Sequence, residues 1–568
     1  MGNHPPQSDA INRRSLLTRG AALMGGAAAG LAFTSGNAPA QEIPKTEARP
    51  AARPAPAAAP PNLLPPVVEV KGGKLRGFRD GKTFAFLGVP YAEAERFEMP
   101  KPVPAWEGIK SAQTWGPVCP IPQATTVGAD DFVFPHRYWV ENEHCQVLNI
   151  WTQSTAAKSR KPVMVWMHGG GFTNGSSIES YAYDGKTLSE FGDVVAVSLN
   201  HRLNIIGTLD LSAYGPEYAN SRNTGMADLV AALQWIHENI EAFGGDPGNV
   251  TIFGQSGGGG KVTRLMHMPA AKGLFHKVIC ESGSVVNYRD TDPAKVIESQ
   301  QAVAAETLRI LGLDSSQMDK LKTVPYRDLL AAGNTANQVV ARQSGRQAMG
   351  WDPVADDHYV LREFCEWADS IPYIAGTVMT EFTSNLAKGE LTKNEWSPKE
   401  VDEHLAAAFG DKKDEIVAEF RKVQPHKKIQ DALFVDNRFR RGAKAMLARK
   451  LEKSTAPVYN YIFAYEYPVN GGITAFHCSE IAFVFHALSE PHIRIATGGA
   501  PAALALQDKV SQAWVNFARN GNPSQQGLTW KPYSLAGRET MVFDTVSEVR
   551  SVDDDKLLSL LPQQERRG

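Results

Sequence analysis

Val250-Thr251-Ile252-Phe253-Gly254-Gln255-Ser256-Gly257-Gly258 is the stretch that decides the fold. Val250–Phe253 reads as an apolar strand, and the spacing predicts a helix from Gly257 to Met266. Between them stands G-x-S-x-G. A sharp strand-to-helix turn lifts a serine hydroxyl above a sheet, and flanking glycines are needed because the strained turn leaves no room for side chains. The helix start then offers unpaired N–H groups to a developing negative charge. The bare motif is weak in a Gly-rich chain, where a Gly/Ser loop reads the same. Strand before and helix after make Ser256 the expected nucleophile. Gly260-Lys261 mimics the end of a phosphate-binding loop, but Gln255 and Val262 stand where that loop needs Gly and Ser/Thr.

Upstream, the strand Val163–Met167 runs into His168-Gly169-Gly170-Gly171-Phe172. Acyl transfer needs backbone donors aimed at a tetrahedral oxygen, and consecutive glycines let the backbone approach it. An ordinary glycine turn is the alternative, but this motif ahead of G-x-S-x-G is far more specific than either alone. Gly170 and Gly171 are the expected oxyanion donors, with Gly257 as the third and Phe172 flanking the slot.

Further strands are expected at Val194–Leu199, Lys277–Glu281, Ile371–Ala375 and Val458–Phe463, and a hairpin turns at Gly72-Gly73. Met226, Leu229, Leu233, Ile236 and Ile240 follow helical steps until Gly244-Gly245-Asp246-Pro247 stops them. Strands alternating with helices predict an α/β class with a mainly parallel central sheet and helices on both faces. No linker divides 66–568, so one large domain is expected, with helical insertions around 295–350 and 395–450.

Composition excludes several classes. Of 568 residues 43% are apolar and 21% charged, which rules out a wholly disordered chain. Lys and Arg number 59 against 61 acids, so the basic excess of a nucleic-acid binder is missing. After the N-terminus no apolar run is long enough to span a membrane. Residues 1–40 read as an export signal: Arg13-Arg14 is a twin arginine, an uncharged run follows, and Ala38-Pro39-Ala40 forms a cleavage site before Gln41. Removal of Arg13, Arg14, Arg19 and Asp9 takes the net charge from −2 to about −4. Residues 41–65 are Ala/Pro-rich and read as a tether. This predicts a bacterial protein handled as a precursor by the twin-arginine machinery and located in the periplasm or outside the cell. An uncleaved membrane anchor is the alternative.

With these segments in place the chain resembles a type-B carboxylesterase, the α/β-hydrolase family that includes the cholinesterases. The likeness covers 66–568. It also rests on Leu148–Trp151, Asn223-Thr224-Gly225, Phe243–Pro247, Glu281-Ser282-Gly283, Phe476-His477, Trp514–Ala518 and Gly521-Asn522-Pro523. Gln255 and Gly257 depart from the family's Glu and Ala beside the nucleophile, and His201 replaces an aromatic. The resemblance implies a catalytic set of Ser256, Glu381 and His477, in the family's chain order of serine, acid, histidine. Asp356, Asp357 and Asp369 are the rival acids. It places Ser282 and Glu480 beside the site, and it implies a disulfide between Cys119 and Cys145, which an exported location permits. Cys280 reads as a buried thiol in a strand. Cys478 adjoins His477 in sequence, so its side chain is expected to point elsewhere, and His486 is expected in an aromatic helix.

The implied activity is hydrolysis of small to medium esters through an acyl-enzyme, with no metal or organic cofactor. A gorge above the serine favours short acyl chains over emulsified lipid. The rivals are a lipase or amidase on the same residues, which a shared triad does not separate, and a non-catalytic interaction protein, which would be expected to have lost one of the three. Oligomeric state has no signature in the sequence.

Overall fold

In a computed structural model the deciding stretch is the last part of a long strand that ends where Ser256 begins. The structure describes residues 65–563 except 124–127, 129–130, 132, 284–291, 346 and 349. The export signal 1–40 and almost all of the tether 41–65 lie outside the described residues.

Two strands, β1 (Val67–Val70) and β2 (Gly73–Arg76), form the expected hairpin. The chain continues through β3 (Phe78–Asp80), β4 (Thr83–Pro90), β5 (Ile109–Ser111) and β6 (Val147–Thr152). Then come β7 (Lys161–Met167), β8 (Val195–Leu199), β9 (Gly245–Gln255) and β10 (Lys277–Glu281). Last are β11 (Tyr373–Val378), β12 (Val458–Phe463), β13 (Glu539–Phe543) and β14 (Glu548–Ser551). The main sheet has the order β14-β13-β12-β11-β10-β9-β7-β8-β6-β4-β3. From β8 to β13 every pairing is parallel, and antiparallel strands close both edges. This is the α/β-hydrolase architecture.

The inner strands are buried on both faces, which is why they read as continuous apolar runs. Alternation then decides which core each residue joins. Met164 and Trp166 of β7 pack with Phe253, Tyr461 and Trp514 on one face. Val163, Val165 and Met167 pack with Ile252 and the helix residues Leu229 and Leu233 on the other. That helix, Thr224–Asn239, carries the predicted spacing and gives way to a turn ending at Gly244, whose φ of 74° suits glycine.

After β8 the chain is pinned by a buried ion pair. Arg202 Nη2 and Nε donate to the two Asp228 oxygens at 2.7 and 2.9 Å, while Arg202 Nη1 donates to the carbonyls of Glu95 and Glu98. Nearly every polar atom of the pair is thus satisfied, the condition under which a desolvated pair is tolerated; removing one partner of such a pair costs about 3–5 kcal/mol. The two predicted insertions are helical: Pro293–Ile310 with Tyr326–Ser344, and Pro398–Phe409 with Lys413–Val423 and Arg438–Leu451.

Candidate active site

The parallel strands all end toward one edge, and in such sheets ligands bind beyond the carboxyl ends. Ser256 stands directly after β9 with φ 56° and ψ −121°, a left-handed backbone that a serine adopts only when its surroundings enforce it. Its N–H donates to the Glu281 carbonyl at 2.8 Å, and its own carbonyl accepts from Gly260 N–H at 3.0 Å. The flanking glycines follow from contact. A Cβ on Gly254 would lie 2.6 Å from the Met167 carbonyl oxygen, and one on Gly258 would lie 1.9 Å from the same atom. The elbow is thus packed backbone to backbone on the end of β7.

β7 delivers the glycine turn to the same place. Gly170 and Gly171 have φ of 80° and 62°, and the Gly170 carbonyl accepts from Asn174 N–H at 2.8 Å. A Cβ on Gly257 would fall 2.3 Å from the carbonyl oxygen of Gly171 and 2.5 Å from its nitrogen. The turn therefore occupies the space that the family's alanine methyl would fill. Phe172 does not flank the slot: it is buried in the core, with the Arg264 guanidinium 4.4 Å from its ring centre.

Glu381 follows β11 and His477 lies in the loop after β12. A parallel bridge joins Glu381 to Phe476, and His477 N–H donates to the Glu381 carbonyl at 3.2 Å. The side chains meet as well, with His477 Nδ1 2.5 Å from Glu381 Oε2. Glu381 Oε1 accepts the Val378 N–H at 3.1 Å. Burial pushes the Glu381 carboxyl up to about 8, against the opposing hydrogen bonds from Ser282 and Val378. The rival acids sit elsewhere. Asp356 accepts the N–H groups of Tyr359 and Val360, Asp357 pairs with Arg362, and Asp369 lies at the opposite, N-terminal end of β11. Ser282 is beside the site as expected, touching Glu381 and 3.5 Å from Glu480.

Three neighbours surround His477, of which sequence reasoning singled out Gln255 alone. Gln255 Nε2 lies 3.4 and 3.3 Å from the two ring nitrogens, a near-equal reach that sets the amide against the imidazole. Cys478, expected to point away, has φ 77° and turns its thiol back to donate to Gln255 Oε1 at 3.2 Å. Phe382, next to Glu381, lies over the ring with centroids 4.1 Å apart. No sequence signal marks the last two, because each depends on an unusual backbone turn at or next to a positive-φ residue. His486 also departs from expectation: it follows the short helix Ile481–Val484 at φ 57° and stacks on Phe191.

Ser256, Gly170, Gly171 and His477 open into one cavity of about 1080 Å³. Its other walls carry Phe134, Tyr183, Tyr138 and Trp139, the last two well exposed. Cys119 and Cys145 need correction: they are free, buried thiols in hydrogen-bonding contact, not a disulfide. Burial, followed by the contact with Cys119, pushes the Cys145 thiol well up.

The sequence model described as Carboxylesterase family matches residues 64–556. The para-nitrobenzyl esterase of Bacillus subtilis (strain 168) is 32% identical over 88% of this chain and 97% of its own. Liver carboxylesterase 1F of Rattus norvegicus is 31% identical over 83% of this chain and 88% of its own. Among solved structures, an esterase from anaerobic Clostridium hathewayi is 41% identical, superposes with a TM-score of 0.80, and is matched over 87% of this chain and 97% of that one. The family model matched over most of the chain, together with the likeness to these relatives over nearly their whole length, places the chain in the carboxylesterase family as an ester hydrolase.

Proposed function

We propose that Ser256, His477 and Glu381 are the triad of this esterase and that the N–H groups of Gly170, Gly171 and Gly257 hold the oxyanion. The observation that carries this is the 2.5 Å contact between His477 Nδ1 and Glu381 Oε2 on the cavity that also exposes Ser256. His477 takes the hydroxyl proton as Ser256 Oγ bonds to the ester carbon and the carbonyl electron pair moves onto oxygen. The tetrahedral oxyanion collapses, and His477 gives its proton to the leaving alcohol. Water then repeats the sequence on the acyl-enzyme.

The acyl and alcohol groups follow from the cavity. Aromatic side chains line it and ring its mouth, so we assign it small to medium esters, aromatic ones among them. The Clostridium hathewayi relative is described as hydrolysing aliphatic aromatic polyesters, which fits the same surface chemistry. We also propose that residues 1–40 are a twin-arginine export signal, 41–65 a tether and 66–568 the catalytic domain, so that the bacterial enzyme works in the periplasm or outside the cell. The support is Arg13-Arg14, the small-residue site ending at Ala40, and the Ala/Pro bias after it.

A fluorophosphonate should label the protein once, on Ser256. Ser256→Ala should abolish labelling and lower ester turnover by roughly five orders of magnitude, because nucleophile and base act as a unit. Glu381→Gln should fold and lose about 10³–10⁴-fold in kcat, since an amide no longer holds the reactive tautomer. An adduct on another serine, or full activity in Glu381→Gln, contradicts the assignment.

The acid limb of kcat/KM should report His477, with an apparent pKa around 6–7. In Gln255→Glu a carboxylate replaces the neutral amide against the ring. It stabilises the imidazolium, raises its pKa and moves the acid limb about one unit toward higher pH. The variant should thus lose activity near pH 6 and keep it near pH 8. A limb that stays in place rules out electrostatic tuning from this position.

With p-nitrophenyl esters of increasing length, acetyl to butyryl esters should turn over well above palmitoyl. Interfacial activation on triglyceride with weak butyrate activity would instead indicate a lipase. N-terminal sequencing of exported protein should begin near Gln41, and a start before Ala21 would contradict cleavage.

A further inference from the structure

Lys261 is a buried cation that the hydrolytic chemistry leaves unused. It sits on the nucleophile helix Gly257–Leu265 with no exposed surface. Burying an ammonium in a protein interior is costly unless it is paired or does a task. Among the described residues its Nζ donates to one acceptor, the His168 carbonyl, at 2.8 Å. That carbonyl opens the glycine turn, two residues before Gly170. Lys261 is also four residues after Gly257, so both lie on one helix face. The helix face that presents one expected oxyanion donor therefore reaches out and grips the turn that presents the other two.

We infer that Lys261 is a positioning residue that holds the oxyanion turn in register with the nucleophile helix through its bond to the His168 carbonyl. The inference rests on the oxyanion assignment of Gly170 and Gly171. The turn needs such a tie. Its glycines carry left-handed backbone and little side-chain packing of their own. Downstream it is fastened where Asn204 N–H donates to the Phe172 carbonyl at 2.6 Å and Asn204 Nδ2 to that of Thr173 at 3.2 Å. Upstream, β7 ends at Met167; the next residue has its ring Nδ1 2.9 Å from the Gly169 carbonyl, within the turn itself, while the Lys261 bond is what ties it to the nucleophile helix. A charged donor makes this bond stronger than a neutral one. Glu179 and Cys119 favour the charged form of Lys261, Arg264 on the same helix disfavours it, and burial pulls the group down to about 7. His168 and His201, tilted rings with centroids 5.3 Å apart nearby, are held neutral by burial and by the same lysine.

The test is Lys261→Met in the full chain, which keeps an apolar stem and removes the donor. With a soluble p-nitrophenyl ester, kcat should fall by about tenfold or more while KM stays within about threefold. The inhibition constant of an alkyl trifluoromethyl ketone, whose serine adduct carries the oxyanion, should rise by the same factor as kcat falls. Unchanged kcat and inhibition, or a kcat loss without weaker inhibition, overturns the inference. Wild-type enzyme that bound the ketone no better than the matching methyl ketone would instead strike at the oxyanion assignment. If Lys261→Met does not fold, Lys261→Leu carries the same test: kcat and ketone affinity should fall together, and unchanged values of both overturn the inference.

Discussion

The approach on which the candidate site depends is made by backbone alone. The elbow after β9 lies directly on the carbonyl of Met167 at the end of β7, and a single methyl at Gly258 would drive into that oxygen. Everything at the site inherits its position from this approach. It brings the start of the helix beside the glycine turn, so that Gly257 and Gly171 touch through backbone alone. It also forces Ser256 into a left-handed conformation, because the chain must reverse within one residue between strand and helix. β7 and β9 are paired through Met167 and Gly254, so the sheet's own hydrogen bonds hold the two halves of the site in register.

Strain at the elbow is matched by strain around it. Ser282, Glu381 and Cys478 also have positive φ. Residues held this way cost about 1–3 kcal/mol each and persist only where the surroundings over-determine them. Here that is the C-terminal edge of the strands β10, β11 and β12, every residue of which is buried. The same burial shapes the charges. Glu281, Glu480 and Glu381 are all pushed up by desolvation, and Asp436, which caps the helix Arg438–Leu451, is pushed up as well. A carboxylate so poorly solvated gains from every donor that reaches it, and Glu381 meets the Val378 N–H, Ser282 and the Nδ1 of His477.

The strands, the elbow, the glycine turn and the order of elements were legible because each has a local cause: apolar runs for doubly buried strands, glycines where backbones touch, and helical spacing where a face is covered. Strand ends moved by a few residues, as at Tyr373–Val378 against the expected Ile371–Ala375. Glu381 and His477 came from family likeness, since 96 residues separate them and only the fold brings them together. Illegible features share one origin. The return of the Cys478 thiol, the placing of Phe382 over His477 and the burial of Phe172 all depend on backbone direction at single residues, which composition and periodicity do not encode. The cysteine pair shows the converse, a family feature whose residues are present and adjacent while the bond is not.

The imidazole of His477 is held on several sides by groups of different character. Glu381 takes its Nδ1, Phe382 and Phe439 pack over the ring, and the Gln255 amide sits against both nitrogens. The aromatic rings exclude water and so raise the cost of an unpaired imidazolium, while the carboxylate lowers it. Gln255 brings no charge to this balance, unlike the glutamate expected of the family. Its orientation is set by Cys478, whose thiol donates to the amide oxygen and so turns the amide nitrogen toward the ring. An N–H donor facing an imidazole favours its neutral form over its cation. With a neutral neighbour in place of an anion, the carboxylate that meets the ring is Glu381 at Nδ1. The departure beside the nucleophile is therefore one arrangement with the two that sequence did not disclose, the returned thiol and the aromatic roof.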